Sequence, residues 1–350
     1  MVSCVLQTAF LGDMILTTPL ITRLAEDGPV HVVATPANAG ILLNHPAVAS
    51  VIVFDKRGRD RGVGGMRRVA RAVRATGASR AVLAQGSVRT AAIAWLAGVP
   101  ERVGFDTSPG RLLYSRRVPF DGARHHAQRL WQLASPPGAT HTAPPLRPSL
   151  FPSPADVALV DSLLREHEVT ADTPLVALAP GSVWATKRWP FFDALAARLR
   201  EHAGATCRVV VLGGPGDRAL ADTIAAAVAA AGGAPVIDAT GRLSLLASAA
   251  LLARCRVLVT NDSAPLHLAS AMNTPTVALF GPTVPGFGFG PLAERHRLVE
   301  HTDLPCRPCG AHGPMRCPLD HWRCMRDLDA VMVADVVRAI VTDAPSTPLF

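Results

Sequence analysis

Short apolar runs alternate with helix-like stretches along the whole chain. In the front part, the runs that predict buried strands are Val2–Gln7, Val30–Ala34, Val51–Phe54 and Ala81–Ala84. Helical patterns lie between them, near residues 14–26, 63–76 and 88–97. Alternating strands and helices of this kind are typical of a parallel sheet covered by helices.

The same rhythm returns in the second half of the chain. Its strand-like runs are Leu175–Ala179, Arg208–Leu212, Val236–Ile237, Arg256–Thr260 and Thr276–Phe280, and its helical patterns cover 190–203, 217–231, 243–254 and 263–272. Prolines accumulate in between, over residues 135–154, and because proline lacks an N–H we interpret this stretch as a linker. The sequence therefore predicts an α/β protein with two Rossmann-like domains, residues 1–150 and 155–350.

Composition narrows the class of protein. The chain has 350 residues, of which 49% are hydrophobic and 18% charged, so each half can bury its own core and disorder is excluded. Aromatic residues make up 5%, too few for a surface built on base stacking. No uncharged run approaches the roughly 18 residues of a membrane span, and the N-terminus lacks the basic region of a signal peptide. We expect a cytoplasmic protein.

Charge is distributed unevenly. The net charge is +8, and residues 1–170 alone hold 19 basic and 12 acidic side chains. A basic front half suits an anionic partner, such as a phosphorylated glycolipid, a membrane surface or nucleic acid, although it serves solubility equally well. Lysine is scarce: Lys56 and Lys187 stand against 33 arginines, so a lysine inside a motif is informative.

The turn after the first strand carries Gly12 and Asp13. Asp13 either caps the following helix or presents a carboxylate that takes a proton from an acceptor hydroxyl. Gly12 would let a substrate approach the backbone closely.

Two turns in the second half hold candidate anion ligands. After the strand 175–179 come Ser182, Thr186 and Lys187, and the Lys187 ammonium suits a diphosphate, the alternative being a solvated charged loop. Asp217 ends a glycine-rich turn that opens a helix, where N–H groups face anions. That turn matches no specific phosphate-binding motif, and Asp217 could simply cap the helix.

The segment 257–269 is the most informative. A strand ends at Thr260, and Asp262, Ser263 and Ala264 lead into a helix that carries His267. Small side chains at the start of a helix leave its N–H groups accessible to an anion. The alternative is a capped helix with a core histidine.

Four cysteines form a separate signal, Cys306, Cys309, Cys317 and Cys324. Four thiolates suit a tetrahedral zinc or iron ion, which here would pin a loop. The spacing is not the doubled C-x2-C of a zinc ribbon, and reduced thiols packed in a loop-rich excursion over 306–324 are the alternative.

Four motifs together resemble glycosyltransferase family 9, the ADP-heptose:lipopolysaccharide heptosyltransferases. They are Gly12-Asp13, Lys187-x-Trp189-Pro190, Asn261-Asp262-Ser263-Ala264-x-x-His267 and Phe280-Gly281-Pro282-Thr283. The resemblance covers almost the whole chain, and the cysteine-rich segment is similar to segments in the heptosyltransferase II-like branch and in autotransporter heptosyltransferases. It implies a GT-B fold, in which an N-terminal acceptor domain and a C-terminal nucleotide-sugar domain face a central cleft.

The resemblance also implies roles for individual residues. Asp13 would be the general base of an inverting transfer, and Lys187 would contact the donor diphosphate or sugar. Asp262 would bind the heptose hydroxyls, with the 263–264 backbone and His267 near the phosphates. Relatives often carry Thr-Gly after this aspartate; Ser263-Ala264 keeps the hydroxyl and lacks the glycine.

The implied reaction moves heptose from ADP-heptose to an inner-core sugar of an anionic Kdo-lipid A acceptor. Gly12, Arg59 and Arg61 are the candidate acceptor ligands, and contact with the cytoplasmic face of the inner membrane would follow. We expect no cofactor for the chemistry. The alternatives are a protein (autotransporter) heptosyltransferase, a family 9 enzyme with another nucleotide sugar, and a metal-stapled nucleic-acid-binding protein. The last is disfavoured, because the basic residues cluster in the half without the four cysteines.

Overall fold

The chain divides into two compact units, Met1–Phe151 and Pro152–Phe350. The computed structural model describes residues 1–136, 146–203 and 207–342. Residues 137–145 of the predicted linker 135–154 lie outside the described residues. At its described end, residues 146–151 belong to the first unit and Pro154 begins a helix.

The first unit is a six-stranded parallel sheet with helices. Its elements are β1 (Ser3–Gln7), α1 (Leu11–Ala25), β2 (Val30–Ala34), α2 (Pro36–Ala39), β3 (Ser50–Val53), α3 (Gly62–Ala75), β4 (Arg80–Val82), α4 (Val88–Leu96), β5 (Glu101–Phe105), β6 (Arg116–Val118) and α5 (His126–Gln132). The strands lie in the order β3-β2-β1-β4-β5-β6, and every neighbouring pair is parallel.

The second unit has the same construction. Its elements are α6 (Pro154–Glu166), β7 (Leu175–Ala179), α7 (Phe192–Ala203), β8 (Arg208–Val211), α8 (Arg218–Ala230), β9 (Ile237–Asp238), α9 (Leu245–Ala253), β10 (Val257–Asn261), α10 (Ala264–Met272), β11 (Thr276–Phe280), β12 (His296–Glu300), α11 (Arg323–Arg326) and α12 (Ala330–Thr342). The parallel strands run β12-β11-β10-β7-β8-β9. Read from β9, this is the strand order of the first unit, and it is the order of a dinucleotide-binding Rossmann sheet.

The predicted α/β class with two Rossmann-like sheets is confirmed. The central strands β1, β7, β10 and β11 are buried at every position, which explains their continuous apolar sequences, since helices cover both faces of a parallel sheet. Among the residues described, none of the helices combines the length and the hydrophobicity that a membrane crossing requires.

Three strands were not predicted: β5, β6 and β12. Each carries charged residues that interrupt the apolar pattern. In β5, the Glu101 carboxylate accepts from Arg80 at 2.7 Å and from Arg116 at 3.3 Å, so three charged residues pair across neighbouring strands. Charges satisfied in this way are compatible with a sheet, although they look like loop residues in the sequence.

Candidate active site

Three of the predicted site residues, Asp13, Lys187 and Asp262, lie where the strand order reverses in each sheet. These points fall between β1 and β4 in the first unit and between β7 and β10 in the second. Ligands of open parallel sheets bind beyond the carboxyl ends of the strands at such points. Asp13 follows β1, Lys187 follows β7 and Asp262 follows β10, so the two units place their candidate chemistry at equivalent positions.

Asp13 lies in the first turn of α1, and 17% of its side chain is exposed. It is not the N-cap of this helix: Phe10 is, and Asp13 Oδ2 accepts the Phe10 N–H at 3.2 Å. Its Oδ1 lies 3.4 Å from Nε2 of His126, on α5, which packs against α1. His126 was not predicted, because nothing in the chain around it signals a contact 113 residues away.

Burial sets the proton affinity of Asp13. It raises the pKa of this carboxyl from 3.8 to about 6, while the Phe10 amide and the charge of Arg129 oppose the rise. A carboxyl of this kind is mostly ionised near pH 7.5 and is a stronger proton acceptor than an ordinary aspartate. Both properties suit a general base.

The turn that carries Asp13 is tied to its neighbours. The Lys56 ammonium donates to the carbonyl of Thr8, and the Thr8 hydroxyl donates to Gln85 Oε1 at 2.7 Å. The Asn38 amide donates to the carbonyl of Ala9 at 2.9 Å. These bonds pre-organise the approach to α1. The sequence analysis gave Lys56 no role, although the scarcity of lysine pointed to it.

The predicted acceptor residues share one edge of the first sheet. Gly12 precedes Asp13 in α1, whereas Arg59 and Arg61 lie in the exposed loop between β3 and α3. Arg59 Nε lies 3.6 Å from the buried carboxylate of Asp60. Strand β3 is the end strand of the sheet, with β2 between it and β1, and Lys56 at the start of the same loop reaches the Thr8 carbonyl before α1.

In the second unit, Lys187, Asp262 and Thr283 form a buried cluster. The Lys187 ammonium lies 2.6 Å from Asp262 Oδ2, and each side chain is 10% exposed. The Thr283 hydroxyl donates to the same oxygen at 2.7 Å. Lys187 and Asp262 were predicted separately from the sequence, and Thr283 had no predicted role. A buried ion pair of this kind is costly to desolvate, which favours a functional reason for its presence.

Asn261 holds the two main loops of the second unit together. It is fully buried. Its side-chain amide donates to the carbonyl of Pro180 at 2.9 Å, and its side-chain oxygen accepts the backbone N–H of Trp189 at 3.0 Å. The loops after β7 and β10 are therefore linked directly beside the Lys187–Asp262 pair.

Ser182 lies in the loop after β7, and Asp217 lies in the turn between β8 and α8. The Ser182 hydroxyl accepts the Trp184 N–H at 3.3 Å, and the Asp217 carboxylate accepts the Gly214 N–H at 2.9 Å. Asp217 also packs against Gly181, where an added Cβ would come within 2.4 Å of its carboxylate. The glycine therefore allows Asp217 to lie at the carboxyl end of β7.

Helix α10 presents its N-terminus beside Asp262. Ser263 is the N-cap, but its side chain makes no capping hydrogen bond. Its hydroxyl therefore does not cap the helix in the way that the alternative of a capped helix assumed. Ala264 is the first helical residue. His267 is buried and meets the ring of Phe289 edge-on, with ring centroids 6.4 Å apart.

Thr186 and the cysteine-rich segment are connected. The Thr186 N–H and hydroxyl both donate to the carbonyl of Pro314, so this hydroxyl is directed to the segment 306–324. Cys306 Sγ lies 3.8 Å from His321 Nε2, and the Cys309 thiol donates to the Cys306 carbonyl at 3.3 Å.

Of the four predicted metal ligands, Cys306 and Cys309 are in direct contact. Burial, followed by the charges of the neighbouring thiols, raises the pKa of Cys324 to about 11. Nevertheless, in the part of the chain that the structure describes, no three His, Cys, Asp or Glu side chains are arranged to hold a metal ion. The zinc or iron ion at the four thiols therefore stays a prediction.

Comparison with known proteins places the chain in a family. Residues 66–320 match the profile of glycosyltransferase family 9 (heptosyltransferase). Lipopolysaccharide heptosyltransferase 1 of Pseudomonas aeruginosa is 31% identical over 328 residues, 87% of this chain and 84% of that protein. Lipopolysaccharide heptosyltransferase 2 of Salmonella typhimurium is 27% identical over 84% of this chain and 86% of its own length.

The fold matches as well. The structure of Escherichia coli ADP-heptose lps heptosyltransferase II has a TM-score of 0.80 and 24% identity, covering 98% of this chain and 99% of that one. The resemblance that the four motifs predicted, to a GT-B glycosyltransferase similar to heptosyltransferase II, is thus confirmed. The chain belongs to glycosyltransferase family 9, the heptosyltransferase family, and is a glycosyltransferase.

Proposed function

We propose that this enzyme transfers heptose from ADP-L-glycero-D-manno-heptose to an inner-core sugar of lipopolysaccharide, with inversion at the anomeric carbon. One observation carries the proposal: a carboxyl suited to proton abstraction in one sheet and a buried cation–carboxylate pair in the other lie at equivalent points. The relatives' names support heptose as the sugar and lipopolysaccharide as the acceptor.

Asp13 acts as the base. Its carboxylate takes the proton of the acceptor hydroxyl as that oxygen attacks the anomeric carbon of the donor. Since Oδ2 accepts the Phe10 N–H, the oxygen that faces His126, Oδ1, is the one that receives the proton. The imidazole then holds the carboxyl in one orientation.

The second unit binds the donor. Lys187 and Thr283 both contact Oδ2 of Asp262, and in the described residues no hydrogen bond reaches Oδ1 of this carboxylate. We assign Oδ1 to the heptose hydroxyls. The Lys187 ammonium has three N–H donors, of which Asp262 occupies one, so the others can stabilise the departing diphosphate.

The start of α10 completes the donor site. The N–H groups of residues 263 and 264 face the phosphates, because the first N–H groups of a helix have no partner within it. His267 lies on the same helix near them. Ser182 and Asp217, at the end of β7 and the start of α8, bind the nucleotide portion. This arrangement stabilises the leaving ADP without a metal ion.

The first sheet recognises an anionic glycolipid. Arg57, Arg59 and Arg61 are exposed in the loop after β3, at the same sheet edge as Asp13. Phe10, which is 54% exposed at the start of α1, adds apolar surface next to Asp13. Cationic and apolar side chains together suit the Kdo and phosphate groups of a lipid-linked acceptor at the cytoplasmic face of the inner membrane.

Vesicle binding tests the membrane part of this proposal. Sedimentation with vesicles that contain anionic lipid should carry the protein down at low salt, and Arg57→Ser/Arg61→Ser should reduce the bound fraction. Trp95→Ser removes an exposed apolar side chain at the end of α4 and should leave binding unchanged. Binding that ignores salt and anionic lipid contradicts a membrane role.

A structural zinc or iron at Cys306, Cys309, Cys317 and Cys324 stays a prediction. Metal analysis of protein purified without added metal tests it. One equivalent of either metal supports the site, whereas zinc and iron together clearly below one equivalent reject it.

Product analysis tests the function as a whole. The enzyme is incubated with ADP-heptose and acceptors that end in Kdo or already carry one heptose, and mass spectrometry follows the lipid. We expect one added heptose and one released ADP. Transfer only to a protein acceptor, transfer only from another nucleotide sugar, or binding of nucleic acid with no transfer would each overturn the proposal.

A further inference from the structure

Arg307 is a buried cation with five hydrogen-bond acceptors among the described residues of the second unit. It lies in the cysteine-rich segment, and 3% of its side chain is exposed. Its guanidinium donates to four backbone carbonyls and one carboxylate, those of Phe280, Gly281, Thr283, His301 and Glu300. The bonds to the Thr283 carbonyl and to Glu300 are 2.8 Å long.

Three of those carbonyls belong to the turn 280–283 that follows β11. A planar guanidinium with donors in fixed directions holds several carbonyls in one geometry, which a flexible ammonium cannot do. The turn ends at Thr283, whose hydroxyl contacts Asp262 Oδ2. Arg307 is therefore connected to the donor cluster by a short chain of direct contacts.

The segment around Arg307 holds a second loop of the same cluster. The Cys309 N–H donates to the Pro282 carbonyl at 2.7 Å, which adds a bond to the turn 280–283. Further along, Pro314 accepts from Thr186, and the ring of His312 stacks on Trp184 with planes 5° apart. Residues 307–314 thus brace the loops on both sides of the Lys187–Asp262 pair.

We propose that Arg307 is a positioning residue for donor binding: it holds the turn 280–283 so that the Thr283 hydroxyl fixes the carboxylate of Asp262. This inference rests on the donor role proposed above for Asp262. It gives the cysteine-rich segment a function in substrate binding that depends on an arginine and a backbone turn.

A general stabilising role is the alternative, and Arg208 provides the matched control. Arg208 also donates to two backbone carbonyls of the same unit, those of His167 and Pro235, at 2.9 and 3.1 Å. Arg208 is the first residue of β8, so it lies at the amino ends of the strands, whereas the donor cluster lies at their carboxyl ends. Arg208→Lys should therefore perturb packing without changing donor affinity.

The experiment uses four variants: Arg307→Lys, Thr283→Val, the double variant that carries both changes, and Arg208→Lys as the control. Each is measured by titration calorimetry with ADP-heptose and by steady-state kinetics. We expect Arg307→Lys to weaken ADP-heptose binding about tenfold and to raise the donor KM similarly, as loss of one charge-assisted bond would. The acceptor KM and kcat should change less than about threefold. The double variant should bind little worse than either single one, because both changes act through one contact.

The outcomes separate this inference from the proposed function. Wild-type protein that fails to bind ADP-heptose refutes the proposed function, and wild-type affinity in Arg307→Lys refutes only the positioning role. The same four variants are also compared by urea unfolding without donor. Coupling between Arg307 and Thr283 in unfolding free energy supports the contact chain independently, whereas strictly additive effects in both measurements overturn it.

Discussion

Replacing Asp13 with asparagine tests the electrostatics of the candidate base through protein stability. In the folded protein the carboxyl is buried beside α5, and its pKa is raised from 3.8 to about 6. The rise corresponds to roughly 3 kcal/mol, since a tenfold change in an ionisation constant is worth about 1.4 kcal/mol. Asparagine keeps the side-chain oxygen that accepts the Phe10 N–H and removes the charge.

The direction of the effect follows from proton linkage. Between pH 3.8 and about 6 the folded protein binds the Asp13 proton more tightly than the unfolded chain does, so this group makes the wild type less stable as the pH rises through that window. Asp13→Asn does not titrate there. We expect the variant to be more stable than the wild type by about 3 kcal/mol at pH 8 and by about half of that at pH 5.

Urea unfolding of the full chain at pH 5 and pH 8 measures the difference. Asp121→Asn, in the same unit, is the control. The Arg124 guanidinium lowers the pKa of Asp121, so its replacement should stabilise the protein at neither pH. An Asp13→Asn variant that gains no stability at pH 8, or gains the same at both pH values, would refute the raised pKa of the Asp13 carboxyl.

Further predictions concern catalysis and donor binding. The rate of transfer should rise with pH through about 6, since Asp13 must be ionised. His126→Asn should move this acid limb to higher pH, because the carboxylate loses a partner that lies 3.4 Å away. The pH–rate profiles of both proteins measure this shift. An unmoved limb would exclude His126 from this role. Lys187→Met should weaken ADP-heptose binding about a hundredfold and lower Tm, because Asp262 stays buried without its cation. Arg254→Met removes an exposed cation that pairs with Asp161 at 2.8 Å and should do neither, and equal losses in the two variants would refute a specific role for Lys187.

The central strands of both sheets could be predicted from the sequence, because they are apolar at nearly every position. β2 was predicted with the bounds the structure has, and β7 and β11 likewise. Strands β5, β6 and β12 were missed, because charged residues interrupt their apolar pattern. Glu101 pairs with arginines on neighbouring strands, and Glu300 of β12 pairs with Arg307. Those partners become visible only in the folded chain.

The site shows the same division. Local signals, a turn after a strand or a helix with small first residues, located Asp13, Lys187 and Asp262. Local signals could not predict which of these side chains contact each other. Lys187 and Asp262 are 75 residues apart in the sequence, and His126 contacts Asp13 from a helix of seven residues that the hydrophobic pattern did not predict. Thr283 stood in a recognised motif, and its bond to Asp262 gives it a physical role.

The most direct test of the account measures donor affinity and transfer rate on one preparation of Asp13→Ala. If Asp13 serves only as the base, ADP-heptose should bind within about twofold of the wild type while transfer falls by about a thousandfold or more. Transfer at a near-normal rate, or a loss of donor affinity as large as the loss of rate, would contradict the division of work between the two sheets.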